Sequence, residues 1–96
     1  MNLLMIICPE ERRHQITALL EKRGIHSFTE FPQVMGSGIS GKHLGSHVWP
    51  GKSTLVFTVV PDEVKAELVA ELKNCQTNLF PGEGMKAFVL PVEEEF

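Results

Sequence analysis

The run Ser53-Thr54-Leu55-Val56-Phe57-Thr58-Val59-Val60 is β-branched or apolar at every position after its first serine. Such a run reads as a strand in the middle of a sheet. Pro61-Asp62-Glu63 follows at once. A proline whose φ suits a first helical turn, with acids beside the positive end of the helix dipole, predicts a helix start. One strand therefore feeds directly into a helix, and the rest of the chain can be placed around that unit.

Upstream, Leu3-Leu4-Met5-Ile6-Ile7-Cys8 is another unbroken apolar run, closed by Pro9. It predicts a second central strand, buried on both sides. Residues 10–23 predict a helix, with Glu10 and Glu11 at its start and Lys22 and Arg23 at its end. Ile16, Leu19, Leu20 and the stem of Arg23 fall on its inner face, His14 falls on the solvated side, and Gly24 suits the position just past the end. Residues 25–35 alternate and contain Pro32, which predicts an edge strand, with His26 at its surface. Downstream, Val64, Leu68 and Leu72 mark the inner face of the second helix, with Ala66 and Val69 nearby and Lys73-Asn74 at its close. Residues 76–84 predict a loop, and residues 86–92 a last strand before the acidic Glu93-Glu94-Glu95.

The order strand–helix–strand–strand–helix–strand predicts an α+β, ferredoxin-like βαββαβ sandwich with an antiparallel four-stranded sheet. The first and third strands are expected in its centre and the second and fourth at its edges. The 96 residues make a single domain, 1–96, with a core small enough to benefit from burial in an oligomer. A net charge of −3 argues against broad nucleic-acid binding, which needs a basic surface. Cys8 and Cys75 are expected to be reduced, buried thiols. The short apolar N-terminal run lacks the flanks of a signal peptide and the length of a membrane span, so a cytoplasmic protein is expected.

The segment most suggestive of function is Val34 to Lys52. It holds Gly36, Gly38, Gly41, Gly45 and Gly51, five of the eight glycines, together with Lys42, His43, His47, Lys52 and the single tryptophan, Trp49. No Asp or Glu occurs from Phe31 to Pro61. Glycines let backbone N–H groups come close to a ligand, and lysines attract anions. The segment reads either as a loop that receives a phosphate-bearing ligand or an acidic partner, or as a glycine-rich loop with solubilising charges. His43 and His47 are four apart and could share one metal ion with a third ligand from another copy. No nucleophile–base pair or triad is present, so an enzyme is not expected.

Leu3-Leu4-Met5-Ile6-Ile7-Cys8-Pro9, Val34-Met35-Gly36-Ser37-Gly38, and Gly82-Glu83-Gly84 followed by Phe88-Val89-Leu90-Pro91-Val92-Glu93-Glu94 stand in this order along the chain. Together they resemble the PII signal-transduction (nitrogen regulatory protein P-II) family: its opening strand and proline, the V-x-G-x-G leading into its T-loop, and its G-D-G B-loop with the P-V-E-E strand. The resemblance implies a homotrimer with adenine-nucleotide sites for ADP, AMP or ATP, or another small anion, in the clefts between subunits. It implies an anion site lined by Gly36 and Gly38 on the T-loop side, where the charge of Lys42 in the glycine-rich segment would add to it, and by Thr77, Gly82, Glu83, Gly84 and Lys86 on the B-loop side. The Lys42–Trp49 loop, with His43, His47 and Trp49, would then be presented to a regulated partner, a protein or membrane transporter; the alternative is that Trp49 packs at the base of the loop or within the trimer.

The departures from the pattern are equally definite. Ile39 and Ser40 stand where the family carries the arginine and glutamine that assist ATP and magnesium with 2-oxoglutarate. The C-terminal phosphate-contacting arginines have no counterpart, Lys86 sits one position late, and the T-loop is about half its usual reach. There is no tyrosine to be nucleotidylated. The resemblance thus implies a divergent, short-loop member without 2-oxoglutarate sensing. The alternative is a metal-responsive trimer resembling the divalent-cation tolerance proteins, using His43 and His47.

Overall fold

The computed structural model describes residues 1–36, 52–80 and 83–96. The elements are β1 (Asn2–Pro9), a 3-10 turn (Glu10–Arg12), α1 (Arg13–Lys22), β2 (Thr29–Val34), β3 (Ser53–Val60), α2 (Asp62–Thr77) and β4 (Lys86–Pro91). The four strands form one sheet in the order β2-β3-β1-β4, every neighbouring pair antiparallel. This is the expected α+β, ferredoxin-like arrangement, with the most apolar strands in the centre and the proline-bearing strand at an edge. Among the described residues no helix is long and apolar enough to cross a membrane.

The pleat sorts the sheet into two faces. On one face Leu4, Ile6 and Cys8 of β1 and Val56 and Val60 of β3 are buried with Ile16 and Leu20 of α1 and Leu68 and Leu72 of α2. That is the core, and the expected inner faces of both helices supply it. Thr54 and Thr58 share this face and are buried too, each with its hydroxyl donated, to Glu10 Oε1 and to the Ser27 carbonyl. Two donated hydroxyls explain how a strand of this composition tolerates threonine inside.

The other face carries Leu3, Met5 and Ile7, opposite Val59, Phe57 and Leu55 on one side and Leu90, Phe88 and Lys86 on the other. Phe31 extends it onto β2, stacked on Phe57 with ring centroids 5.9 Å apart. No element of the described residues covers this face. Ile7, Phe31, Phe88 and Leu90 remain 36, 45, 49 and 44% exposed. The expectation that β1 is buried on both sides therefore fails within one protomer: Asn2, Leu4, Ile6 and Cys8 are covered, whereas Leu3 and Met5 are only partly covered and Ile7 is exposed.

Several boundaries move for identifiable reasons. The first helix does not begin at Glu10. Residues 10–12 form a 3-10 turn, because the Glu10 carboxylate is drawn to β2 and β3 instead of capping a helix. Gly24 has φ +82°, as its place after α1 requires. The expected long second strand is confined to residues 29–34, since Ile25 turns inward to the core and its N–H bonds the Leu20 carbonyl at 2.9 Å. The second helix runs three residues past Asn74, to Thr77, with no breaker in its way. Ala66 is exposed rather than near the core, and the Arg23 stem is only half-buried, its guanidinium bonded to Glu67 and Glu71 of α2. Cys8 is buried but Cys75 only partly so, and both thiols are free. Burial pushes the Cys8 thiol up to about 11.

Candidate functional site

Two loop bases meet the connection between β1 and α1. The first is the base of the glycine-rich segment. Gln33 has φ +58°, a left-handed conformation rare outside glycine, at the irregularity that breaks the β2–β3 register between Phe31 and Val34. Its N–H donates to Glu10 Oε1 at 3.0 Å. The Thr54 hydroxyl donates to the same oxygen at 2.5 Å. The Glu10 N–H donates to the Lys52 carbonyl at 3.1 Å. One residue thus fastens the outgoing stem at Gln33 and the returning stem at Lys52 and Thr54. The Thr54 hydroxyl, with the Gln33 amide, holds the Glu10 carboxyl below its usual range, and Arg13 adds to the effect.

The second base is the turn before β4. Phe80 and Glu83 bond each other twice: the Glu83 N–H donates to the Phe80 carbonyl at 3.0 Å, and the Phe80 N–H donates to Glu83 Oε1 at 2.9 Å. Glu83 also receives Arg12 on both oxygens, Nη2 at 2.8 Å and Nε at 3.2 Å. The guanidinium lies 5.2 Å from the Phe80 ring centroid, a cation–π contact. This fork geometry is the strongest arrangement an arginine offers a carboxylate, and the two side chains are largely covered. Arg12 holds the Glu83 carboxyl below its usual range. On the other side of the turn the Gln76 side chain donates to the Met85 carbonyl at 2.9 Å, tying α2 to the start of β4.

Of the residues singled out in the sequence, Gly36, Thr77, Glu83, Gly84 and Lys86 fall among the described residues. Gly36 follows β2 directly, and a Cβ there would meet nothing within 4 Å. Nothing in the described protomer therefore requires glycine at that position. Thr77 ends α2, exposed, with its hydroxyl donated to the Asn74 carbonyl at 2.7 Å. Gly84 is half-buried between Glu83 and the buried Met85. Lys86 opens β4, exposed, opposite Ile7 at the rim of the uncovered sheet face. The Glu83 N–H, expected to face a ligand, is engaged inside its own turn in this conformation. Gly38, Lys42, His43, His47, Trp49 and Gly82 lie outside the described residues. Among the described residues no group of three His, Cys, Asp or Glu side chains could hold a metal ion.

Glu10 and Arg12 are the two residues the sequence reading did not assign to the site. Glu10 had an adequate local role as a dipole-matching acid, and Arg12 is one basic residue in a charged run. Neither local pattern states that the turn faces two loops that arrive some 20 and 70 residues later.

The four-stranded βαββαβ sheet, with the glycine-rich segment between β2 and β3 in sequence and a braced turn before β4, is the fold that the sequence motifs imply. The family model of nitrogen regulatory protein P-II matches residues 1–95, and this chain belongs to that family. No curated protein matches the chain in sequence. Among solved structures it is similar to CPII, a nitrogen regulatory PII-like protein from Thiomonas intermedia K12, bound to ADP, AMP and bicarbonate. The identity is 18%, the TM-score 0.67, and the match covers 99% of this chain and 94% of that one. CPII bound to ADP, AMP and acetate gives a TM-score of 0.69 at 18% identity over 97% of this chain and 88% of that one. A protein described as PII-like and signaling, from Thermus thermophilus, gives 0.64 at 21% identity over 92% and 82%.

Proposed function

We propose that this chain is a PII-type regulatory subunit that assembles as a homotrimer, binds ADP or AMP with or without a small anion in its inter-subunit clefts, and presents residues 36–52 to a partner protein. The reading rests on family membership over residues 1–95 and on the ligands of the similar Thiomonas intermedia structures. The observation that carries it is the uncovered sheet face. A row running Phe57–Met5–Phe88 across β3, β1 and β4, with Val59–Leu3–Leu90 beside it, is a continuous apolar surface of the kind that marks an interface. A second and third copy of the same face supply a self-complementary cover, and clefts between copies exist only once that cover forms.

At such a cleft Gly84 offers its backbone N–H and Lys86 a charge at the rim of the same face. Ile39 and Ser40 supply no arginine for a γ-phosphate, which favours ADP and AMP over ATP. The chemistry is binding and regulation, with no bond-making step.

Isothermal titration of the protein with ADP, AMP and ATP tests the proposal, with and without bicarbonate. ADP or AMP should bind, and Lys86→Ala should weaken the nucleotide by about 1–3 kcal/mol if it makes a charge-assisted bond. No heat with any of the three nucleotides overturns the nucleotide reading. Zinc in the same titration addresses the residues His43 and His47, and heat with zinc alone would transfer the site to metal.

A further inference from the structure

The structure holds one device that neither the motifs nor the family match assigns. Residues 10–12 form a single 3-10 turn, closed by the Arg13 N–H on the Glu10 carbonyl. Its first residue grips the base of the glycine-rich segment, through the Gln33 amide, the Thr54 hydroxyl and the Lys52 carbonyl. Its last residue grips the turn before β4, through the two-point bond to Glu83 and the contact with Phe80. Arg13 braces the turn from behind, 3.6 Å from Glu10 Oε2 and 3.8 Å from Glu30 Oε1 on β2.

We propose that Glu10 and Arg12 are positioning residues that couple the two loop bases, so that ordering one base orders the other through the 3-10 turn. The physical ground is stiffness over a short path. Only Glu11 separates the two grips, the turn between them is hydrogen-bonded, and each grip is a charged group fixed at two or more points. A displacement of Glu83 pulls Arg12 and rotates the turn. The rotation draws Glu10 Oε1 away from Gln33 and Thr54 together, because one oxygen serves both. Gln33 is the sensitive end: its left-handed backbone costs energy and persists only while its surroundings hold it. The functional consequence rests on the proposed nucleotide site, since a ligand engaging the 83–84 end would then be reported to the stems of the segment offered to a partner. The coupling itself is independent of any ligand.

Amide hydrogen exchange by NMR on the full chain tests the coupling without ligand. In Arg12→Ala, exchange should accelerate at Phe80 and Glu83, which lose their brace, and also roughly tenfold at Gln33 and Glu10, while core amides of β1 and β3 keep their protection. Glu10→Gln should show the reverse transmission, accelerating Phe80 and Glu83. The double variant R12E/E83R, which restores the pair with reversed charges, should return Gln33 to the wild-type rate. Acceleration confined to residues 80–83 in Arg12→Ala overturns the proposal, as does acceleration that spreads equally over the core or that R12E/E83R fails to rescue. A separate arm adds ADP: protection of Gln33 should rise in the wild type and not in Arg12→Ala. Absence of ADP binding in the wild type would refute the nucleotide reading alone and leave the ligand-free exchange to decide the coupling.

Discussion

Phe88→Glu is the sharpest single perturbation of the proposed assembly. Phe88 lies on edge strand β4, opposite Met5, on the sheet face that no described element covers. Ile7, Phe31, Phe88 and Leu90 are between 36 and 49% exposed in the protomer. Fully burying such a side chain is worth about 1.5–3 kcal/mol, so covering the exposed part of these four contributes on the order of 3–5 kcal/mol per protomer. Replacing Phe88 by Glu removes its share of that gain. It also puts an unpaired carboxylate into the apolar contact, at a cost of several kcal/mol per ion. The loss equals or exceeds the gain, so association should collapse. The protomer fold should survive, because Phe88 is half-exposed and its neighbours in the core lie on the other face. Size-exclusion chromatography with multi-angle light scattering at tens of micromolar is the assay. The wild type should appear at three times the protomer mass of 10.7 kDa, and Phe88→Glu at that mass, with its far-UV circular dichroism retained. A monomeric wild type, or a variant that keeps the wild-type mass, refutes the reasoning.

Two further outcomes follow from the protomer. Glu10, Glu83 and Asp62 all have carboxyls held below their ordinary values of 4.5, 4.5 and 3.8, by Thr54, by Arg12 and by the terminal amine respectively. A depressed carboxyl contributes stability that is present above its ordinary value and lost as pH falls through its folded value. Urea midpoints should therefore fall as the pH drops below about 4.5, and Glu10→Gln should remove part of that dependence. Leu68→Ala empties a fully buried core position of α2 and should cost about 2–5 kcal/mol in urea unfolding, whereas Ala66→Ser, exposed two residues earlier, should stay within about 0.5 kcal/mol.

The element order, the two central strands and most side chains of the core are legible in the local residue pattern. Those features follow from local physics. Seven consecutive β-branched or apolar residues, Thr54 to Val60, suit only a central strand, Pro32 suits only an edge, and the spacing of Val64, Leu68 and Leu72 leaves one helix face to bury. The motifs at residues 34–38 and 82–94 also carried the family resemblance, because glycines and a proline at fixed offsets keep their meaning without the rest of the chain.

The roles of the charged residues, by contrast, emerge only in the folded chain. Glu10 reads locally as a helix-start acid, yet its carboxylate is claimed by Gln33 and Thr54, which the chain brings back only after β2 and β3 have formed. Glu83 reads locally as a loop acid beside a ligand, yet it is gripped by Arg12, 71 residues earlier. The uncovered side of β1 was equally hidden, since an apolar run cannot state whether its second face meets helices of its own chain or another copy. Hydrophobic period is written in neighbouring residues, whereas the partner of a charged side chain is set by the sheet register and the loop paths, and those exist only once the chain has folded.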